Sequence, residues 1–223
     1  MPEQVLKNLT LTDEMTTHYT TIRVYLTEDG RTMLTMDKFI QFVEGEDERI
    51  FHDNLTRHAY TIHGYPEDIL ILGGGDGLAA RNLYRHSPML NITLVDIDGV
   101  MIEYCRTDDK MKEMNEGSLD KCNVIIDDAL KFVPKCKDKY DIVICDFPDP
   151  NCTILEKLYT KEFLKKIVGL LKDAGVFCMQ CHYTITSDIG KKIKDILGNS
   201  REIEFEMPFL ETGSVVLGVK ENA

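Results

Sequence analysis

Three short segments pair acidic side chains with backbone that a ligand can approach. The first is Asp146-Phe147-Pro148-Asp149-Pro150, which follows the strand-like run 141–145, apolar from Ile142 to Cys145. Each proline drives the residue before it, Phe147 or Asp149, away from helical geometry, so the segment is stiff. Two carboxylates three positions apart suit a cationic substrate, and one of them can take a proton from an attacking amine. An ordinary Asp-Pro turn with solvated acids is the simpler alternative.

The second segment is Gly73-Gly74-Gly75-Asp76-Gly77, entered from Ile69-Leu70-Ile71-Leu72. A strand that ends in glycines and leads into a helix lets a nucleotide come close to the backbone. Gly75, Gly77 and Ala80 also satisfy the dinucleotide pattern G-x-G-x-x-G/A. Asp76 lies inside that loop, where its carboxylate would repel a pyrophosphate, so a dinucleotide is disfavoured. The third signal is a pair of acids at later strand ends. Asp96, 20 residues after Asp76, can accept both hydroxyls of a ribose. In Asp127-Asp128-Ala129 one acid can accept from an adenine amine or cap a helix, and spacing alone does not separate the two acids. Asp98 reads as a helix N-cap.

Positioning these groups takes an alternating framework. Strands are expected at 69–72, 92–96, 124–127, 141–145 and 176–181. Helices are expected at 47–63, 78–86, 99–115, 129–133, 156–172 and 188–197. Such alternation predicts a parallel sheet with helices on both faces, and puts the acids at the carboxyl ends of the strands. Runs at 203–207 and 214–219 are joined by six residues, too few for a parallel crossover, so they should form an antiparallel hairpin. Before residue 46 the pattern is different: β-rich runs at 20–27, 31–36 and 39–43, with tight turns between them, predict a small antiparallel meander. The expected fold is therefore α/β, a doubly wound, mostly parallel seven-stranded sheet of the class I methyltransferase-like Rossmann kind. Residues 1–45 form a small N-terminal β domain and 46–223 the nucleoside-binding domain.

The 223 residues carry 26 Lys plus Arg against 38 Asp plus Glu, a net charge of −12. That charge argues against nucleic acid and anionic membranes as partners. No apolar run is long enough to span a bilayer, and the first 12 residues do not read as a signal peptide. Seven scattered cysteines fit a reducing, cytoplasmic setting, and no metal-ligand cluster stands out. Cys178 and Cys181 have redox spacing but lie on a predicted buried strand, which favours packing. The meander is too small to bury its own faces, which predicts a homodimer or homotetramer.

Taken in order, several pieces resemble the polyamine aminopropyltransferases, the spermidine synthase family. They are Met36-Asp37-Lys38-Phe39-Ile40-Gln41, Asp47-Glu48-Arg49-Ile50-Phe51-His52-Asp53, the glycine loop, Leu94-Val95-Asp96-Ile97-Asp98, Ile126-Asp127-Asp128-Ala129, residues 140–150, and Leu158-Tyr159-Thr160-Lys161-Glu162-Phe163. The resemblance implies aminopropyl transfer from decarboxylated S-adenosylmethionine, a co-substrate, to an amine such as putrescine, with no further cofactor. It assigns the nucleoside to Gly73, Gly75, Asp96, Asp128 and Ala129, with Asp96 on the ribose and Asp128 on the adenine. It assigns Asp76 to the donor's ammonium, Gln41 and His52 to the substrate side, Asp149 to the acceptor amine and Asp146 to proton abstraction. Phe51 departs from the family's usual tyrosine, and residues 206–214 lack its usual aromatics. These departures keep a catalytically silent polyamine- or nucleoside-binding paralogue as an alternative. A methyltransferase of the same fold is the other. Methyltransferases often carry an acid two residues before the first glycine, where this chain has Ile71.

Overall fold

The structure is a computed structural model that describes residues 8–150 and 153–222. A small sheet comes first. It comprises β1 (Thr10–Thr16), β2 (Thr21–Leu26), β3 (Thr32–Met36) and β4 (Phe39–Val43), all antiparallel and in chain order. Three of its strands match the expected meander. β1 is an additional edge strand: its side chains are almost all exposed, so it has no apolar alternation to mark it.

Helix α1 (Glu46–His63) leads into the large sheet. The alternation that follows is β5 (Asp68–Gly73), α2 (Leu78–His86), β6 (Asn91–Asp96), α3 (Gly99–Thr107), α4 (Asp109–Met114), β7 (Asn123–Ile126), α5 (Ala129–Phe132) and β8 (Tyr140–Asp146). It continues with α6 (Thr153–Glu156), α7 (Lys161–Val168), β9 (Leu171–His182), α8 (Thr186–Leu197), β10 (Arg201–Met207) and β11 (Glu211–Val219). The order across the sheet is β10-β11-β9-β8-β5-β6-β7. The strands from β9 to β7 run parallel, and the closing pair is the antiparallel hairpin expected from its short connection.

Period-two alternation divides the sheet's side chains between two cores. Ile69, Ile71, Ile142 and Ile144 pack with Leu55 and Ala59 of α1, Leu83 of α2 and Cys105 of α3. Leu70, Leu72, Val143 and Phe177 pack on the opposite face with Leu164 and Ile167 of α7 and Ile193 of α8. Ile22, Val24, Leu34 and Phe42 of the small sheet join the first of these cores, so one apolar interior links the two sheets.

Two expected helices are interrupted. Asp108 adopts an extended conformation and caps α4 through Met111 N, which breaks 99–115 into α3 and α4. Thr160 does the same for α7 by accepting from Phe163 N, and the chain turns into β9 at Leu171 rather than staying helical to 172. In both places a side chain that satisfies the next helix's free N–H groups makes a new start favourable. Asp98 caps α3 as expected, accepting from Val100 N at 3.0 Å and Met101 N at 3.3 Å.

Candidate active site

β5 is the first strand of the alternation. Its neighbours β6 and β8 lie on opposite sides, so the crevice of a doubly wound sheet opens at its carboxyl end. Register places Gly73 opposite Asp146. At Gly73, φ is +85°, and a Cβ there would stand 2.1 Å from the Asp146 carbonyl oxygen. Only glycine meets both demands. Gly75 makes a close approach on the other side: its N–H donates to Asp96 Oδ2 at 3.0 Å, and a Cβ would lie 2.9 Å from that oxygen. The loop thus lies directly against two carboxylates from neighbouring strands.

Asp76 follows in the same loop. Its Oδ1 accepts from Leu78 N at 2.9 Å, and its carbonyl accepts from Asn115 Nδ2 at 3.1 Å. Ser118 Oγ donates to Gly77 O at 2.6 Å, so the segment after α4 clamps the loop from outside. Asn115 and Ser118 are both fully buried. The sequence reading missed them because each lies about 40 residues from its target and has no motif of its own.

The electrostatics of the cluster are uneven. Burial pushes the Asp96 carboxyl up to about 6. The Asp98 and Gly75 amides pull it down, while Asp76 and Asp98 push it up. Burial pushes Asp146 up to about 7. His52 pulls it down, and the charges of Asp76 and Asp96 push it up. His52, on α1, is buried with Glu48, whose Oε1 lies 3.0 Å from its Nδ1. Burial opposes a charge on His52, but the Glu48 hydrogen bond and the carboxylates of Asp76 and Asp146 hold its pKa above the ordinary value. Asp76, Asp96, Asp146 and His52 therefore share one electrostatic site. An unbalanced set of carboxylates in a low-dielectric crevice favours a ligand that brings positive charge.

The loop after β8 is braced. Tyr159 donates its phenol O–H to Pro148 O at 2.9 Å and to Phe147 O at 3.3 Å. Gln180 Nε2 donates to Phe147 O as well. Asp149 Oδ1 accepts from His182 N at 3.1 Å, tying the second acid to the end of β9. The sequence placed Tyr159 at a helix start, and its bracing role was not visible there.

The remaining expected residues have local partners of their own. Asp128 caps α5, accepting from Leu130 N at 2.9 Å through Oδ1, with Ala129 the first helical residue. The capping alternative is thus met, while Oδ2 keeps only a 4.0 Å contact to Lys131 Nζ. Gln41 sits at the β3–β4 register shift, where a bulge turns its side chain away from regular pairing. Among the described residues its side-chain hydrogen bond is to Phe39 O at 3.3 Å, not to the acid cluster. Phe51 packs edge-on against His52 and Phe205, with centroids 5.1 and 6.3 Å apart. Cys178 is buried and faces Leu55 O, and Cys181 faces Thr186 and Ser214, so both act as packing residues.

Comparison with known proteins bears on the fold and the lineage. The family described as spermine/spermidine synthase domain matches residues 48–221. A polyamine aminopropyltransferase of Oceanobacillus iheyensis is 31% identical over 211 residues, which is 89% of this chain and 40% of that protein. One from Pyrobaculum calidifontis is 36% identical over 168 residues, 73% of this chain and 57% of that protein. The chain thus spans about half the length of these curated relatives. Among solved structures, a spermidine synthase in complex with the transition state analogue AdoDATO superposes with a TM-score of 0.85 at 22% identity. The alignment covers 96% of this chain and 74% of that one. Spermidine synthase from Thermotoga maritima gives 0.83 at 23% identity, with the same coverage. These two likenesses establish the shared fold, and the match over 48–221 establishes the lineage: the chain belongs to the spermine/spermidine synthase family.

Proposed function

We propose that the chain is a polyamine aminopropyltransferase, moving the aminopropyl group of decarboxylated S-adenosylmethionine to a diamine such as putrescine. The products are spermidine and methylthioadenosine. The observation that carries this reading is the convergence of Asp76, Asp96 and Asp146 at one crevice, with burial raising two of them. A donor with a sulfonium and an ammonium, and no carboxylate, complements that charge. The carboxylate of ordinary S-adenosylmethionine would be repelled by Asp76.

In this reading Asp96 accepts from the ribose hydroxyls with its remaining lone pairs, and Asp128 Oδ2 accepts from the adenine amine. Asp76 meets the donor's ammonium, and Asp149 and His52 line the acceptor side. A neutral amine nitrogen attacks the methylene bound to sulfur. The C–N bond forms as the C–S bond breaks, the C–S electron pair stays on sulfur, and the amine's proton passes to Asp146. A carboxylate with a pKa near 7 is well matched to that transfer. Alignment of nucleophile and leaving sulfur supplies the rest, and the step calls for no metal or prosthetic group. Gln41, whose side-chain amide donates to Phe39 O, lines the substrate side in this reading.

Residues 1–45 are proposed as a small N-terminal domain, packed on the first core, through which the chain assembles into a homodimer or homotetramer. Exposed Leu11, Leu26 and Phe39 on the small sheet support this. Six free cysteines among the described residues fit a cytoplasmic setting. No helix among those residues is long and apolar enough to cross a membrane.

The test is incubation with decarboxylated donor and a panel of amines, with identification of the polyamine formed. Release of methylthioadenosine together with spermidine is the expected result. No release with any amine would leave a binding protein, and clear preference for the carboxylated donor would make the chain a methyltransferase.

A further inference from the structure

Behind the acid cluster, three ionisable side chains from two helices stand in line inside the protein. Glu48 Oε1 lies 3.0 Å from His52 Nδ1 and 2.5 Å from Arg81 Nη2. Arg81 is held in turn by Met114 O at 3.0 Å and by Asn82 Oδ1 at 2.7 Å. Glu48, His52 and Arg81 are 4%, 3% and 3% exposed. A buried ion pair of this kind adds little net stability compared with apolar packing, so stability alone does not account for it.

The geometry fixes the imidazole. His52 Nδ1 faces two acceptors, Glu48 Oε1 and, at 2.9 Å, Glu48 O. A nitrogen between two acceptors must carry the hydrogen. Nε2 is then a lone pair when the ring is neutral and a donor when it is cationic. The charged groups that act on the ring are Glu48 on its own helix, Asp76 from the loop after β5 and Asp146 from the end of β8. Arg81 of α2 stands behind Glu48, and the neighbouring Phe51 ring is uncharged. Burial works against ionising Glu48, yet His52 and Arg81 hold its pKa well below the ordinary value, so it stays a carboxylate.

We propose that Glu48, backed by Arg81, is a positioning residue that pins the His52 hydrogen to Nδ1 and keeps the ring cationic in the empty pocket, so that an entering ammonium replaces that charge. This rests on the amine-binding reading above. On binding, the Nε2–H bond breaks, its proton leaves to solvent, and its electron pair stays on Nε2 to accept from the ammonium. One positive charge enters as one departs. The empty pocket is thereby spared a bare group of carboxylates, and an uncharged analogue of the amine has nothing with which to displace the proton.

Long-range proton–nitrogen spectra of protein labelled at histidine nitrogen test this, with His52→Gln assigning the signal. Spectra are taken across pH for the free protein and for protein saturated with putrescine and methylthioadenosine. Below its free-protein midpoint the free ring should be cationic, and on saturation at the same pH it should be neutral with its hydrogen on Nδ1. Glu48→Gln should lower the free-protein midpoint by at least about one pH unit, and Glu48→Asp should restore part of it. A neutral wild-type ring with hydrogen on Nε2, a ring still cationic at saturation, or an unchanged midpoint in Glu48→Gln would each overturn the proposal. The wild-type spectra decide it even where Glu48→Gln does not fold. The free-protein titration needs no ligand. A normal titration in a protein that binds no amine would therefore remove the substrate reading and the displacement step, and keep the positioning role of Glu48.

Discussion

β8 carries an aspartate at each end, and the two are treated in opposite ways. Asp141, at the amino end, accepts from Glu67 N at 2.9 Å and Asp68 N at 2.8 Å, and Lys172 Nζ lies 3.0 Å away. Burial would raise it, but those two amides and the lysine outweigh burial and hold its carboxyl below the ordinary value. Asp146, at the carboxyl end, is pushed up to about 7 by burial, with only His52 pulling against the added push of Asp76 and Asp96. One acid is satisfied by the fold. The other is left for something the fold does not contain. An unsatisfied acid at the mouth of the crevice destabilises the empty protein, which is the common signature of a working group.

The strongest way to break this contrast is to neutralise the acid of the crevice. Asp146→Asn should lower kcat for aminopropyl transfer by about a thousandfold, within the range for losing a general base. Nucleoside binding, measured by calorimetry with methylthioadenosine, should stay close to normal. The same variant should be more stable than the parent by about 1 kcal/mol at pH 8, where the parent carries the ionised buried carboxylate. That gain should shrink as pH falls and the parent's carboxyl becomes protonated. A near-normal rate would remove Asp146 from the chemistry.

How much of this contrast can be read from the sequence depends on the range over which each feature is determined. Asp98 as a cap, Gly73 as a turn and Asp146 after a buried strand are set within a few residues by local geometry, and the structure has them there. The breaks at Asp108 and Thr160 are also local, yet a continuous apolar period across them hides the cap. β1 is hidden because an exposed edge strand has no apolar face to alternate. The supports of the site are hidden for a different reason. Glu48 meets Arg81, Asn115 meets Asp76 and Asp141 meets Lys172 only once the chain has folded, across 31 to 39 positions. Local spacing carries no record of such pairs. The charge state of the pocket follows from them, so the sequence names the acids but not their basicity.

A pH series sharpens the comparison without mutation. The Asp146 carboxyl must be ionised to accept a proton, so kcat/KM should rise through about pH 7 and fall about tenfold per unit well below it. Asp141 has the opposite sign. Its folded pKa is depressed, so its contribution to stability is present above the unfolded value and is lost as pH falls through the folded one. Activity should therefore disappear on acidification well before this contribution to folding does. Parallel profiles of rate and thermal midpoint check that separation, and coincident midpoints would contradict it.

The converse substitution acts on the amino end. Asp141→Ala orphans the Glu67 and Asp68 N–H groups and leaves Lys172 with Asp68 alone. A loss of about 2 kcal/mol in unfolding free energy is expected, the scale for removing a buried acceptor. At temperatures where the variant stays folded, kcat should remain within about twofold of the parent. Urea melts and steady-state rates on the same preparation measure both, and a large fall in kcat with intact folding would show that the two ends of β8 are coupled.

The smallest expected effect concerns how the working acid is held. Tyr159 is buried at 4% exposure, and its O–H donates to Pro148 O and Phe147 O. Phe147 O keeps Gln180 as a donor when the phenol is removed, while Pro148 O loses the donor that Tyr159 supplies. Tyr159→Phe should therefore cost about 1 kcal/mol of stability, the usual worth of one such bond. The proline-stiffened loop would keep its general course but hold Asp146 and Asp149 less firmly, and alignment is what this displacement depends on. A fall of about fivefold in kcat is expected. KM for the donor should be unchanged, because the nucleoside end of the crevice is built from Asp96 and the glycine loop, which Tyr159 does not touch. If KM for the donor rose instead while kcat held, the brace would belong to nucleoside binding, and the division between a satisfied fold and an unsatisfied working acid would have to be redrawn around Phe147.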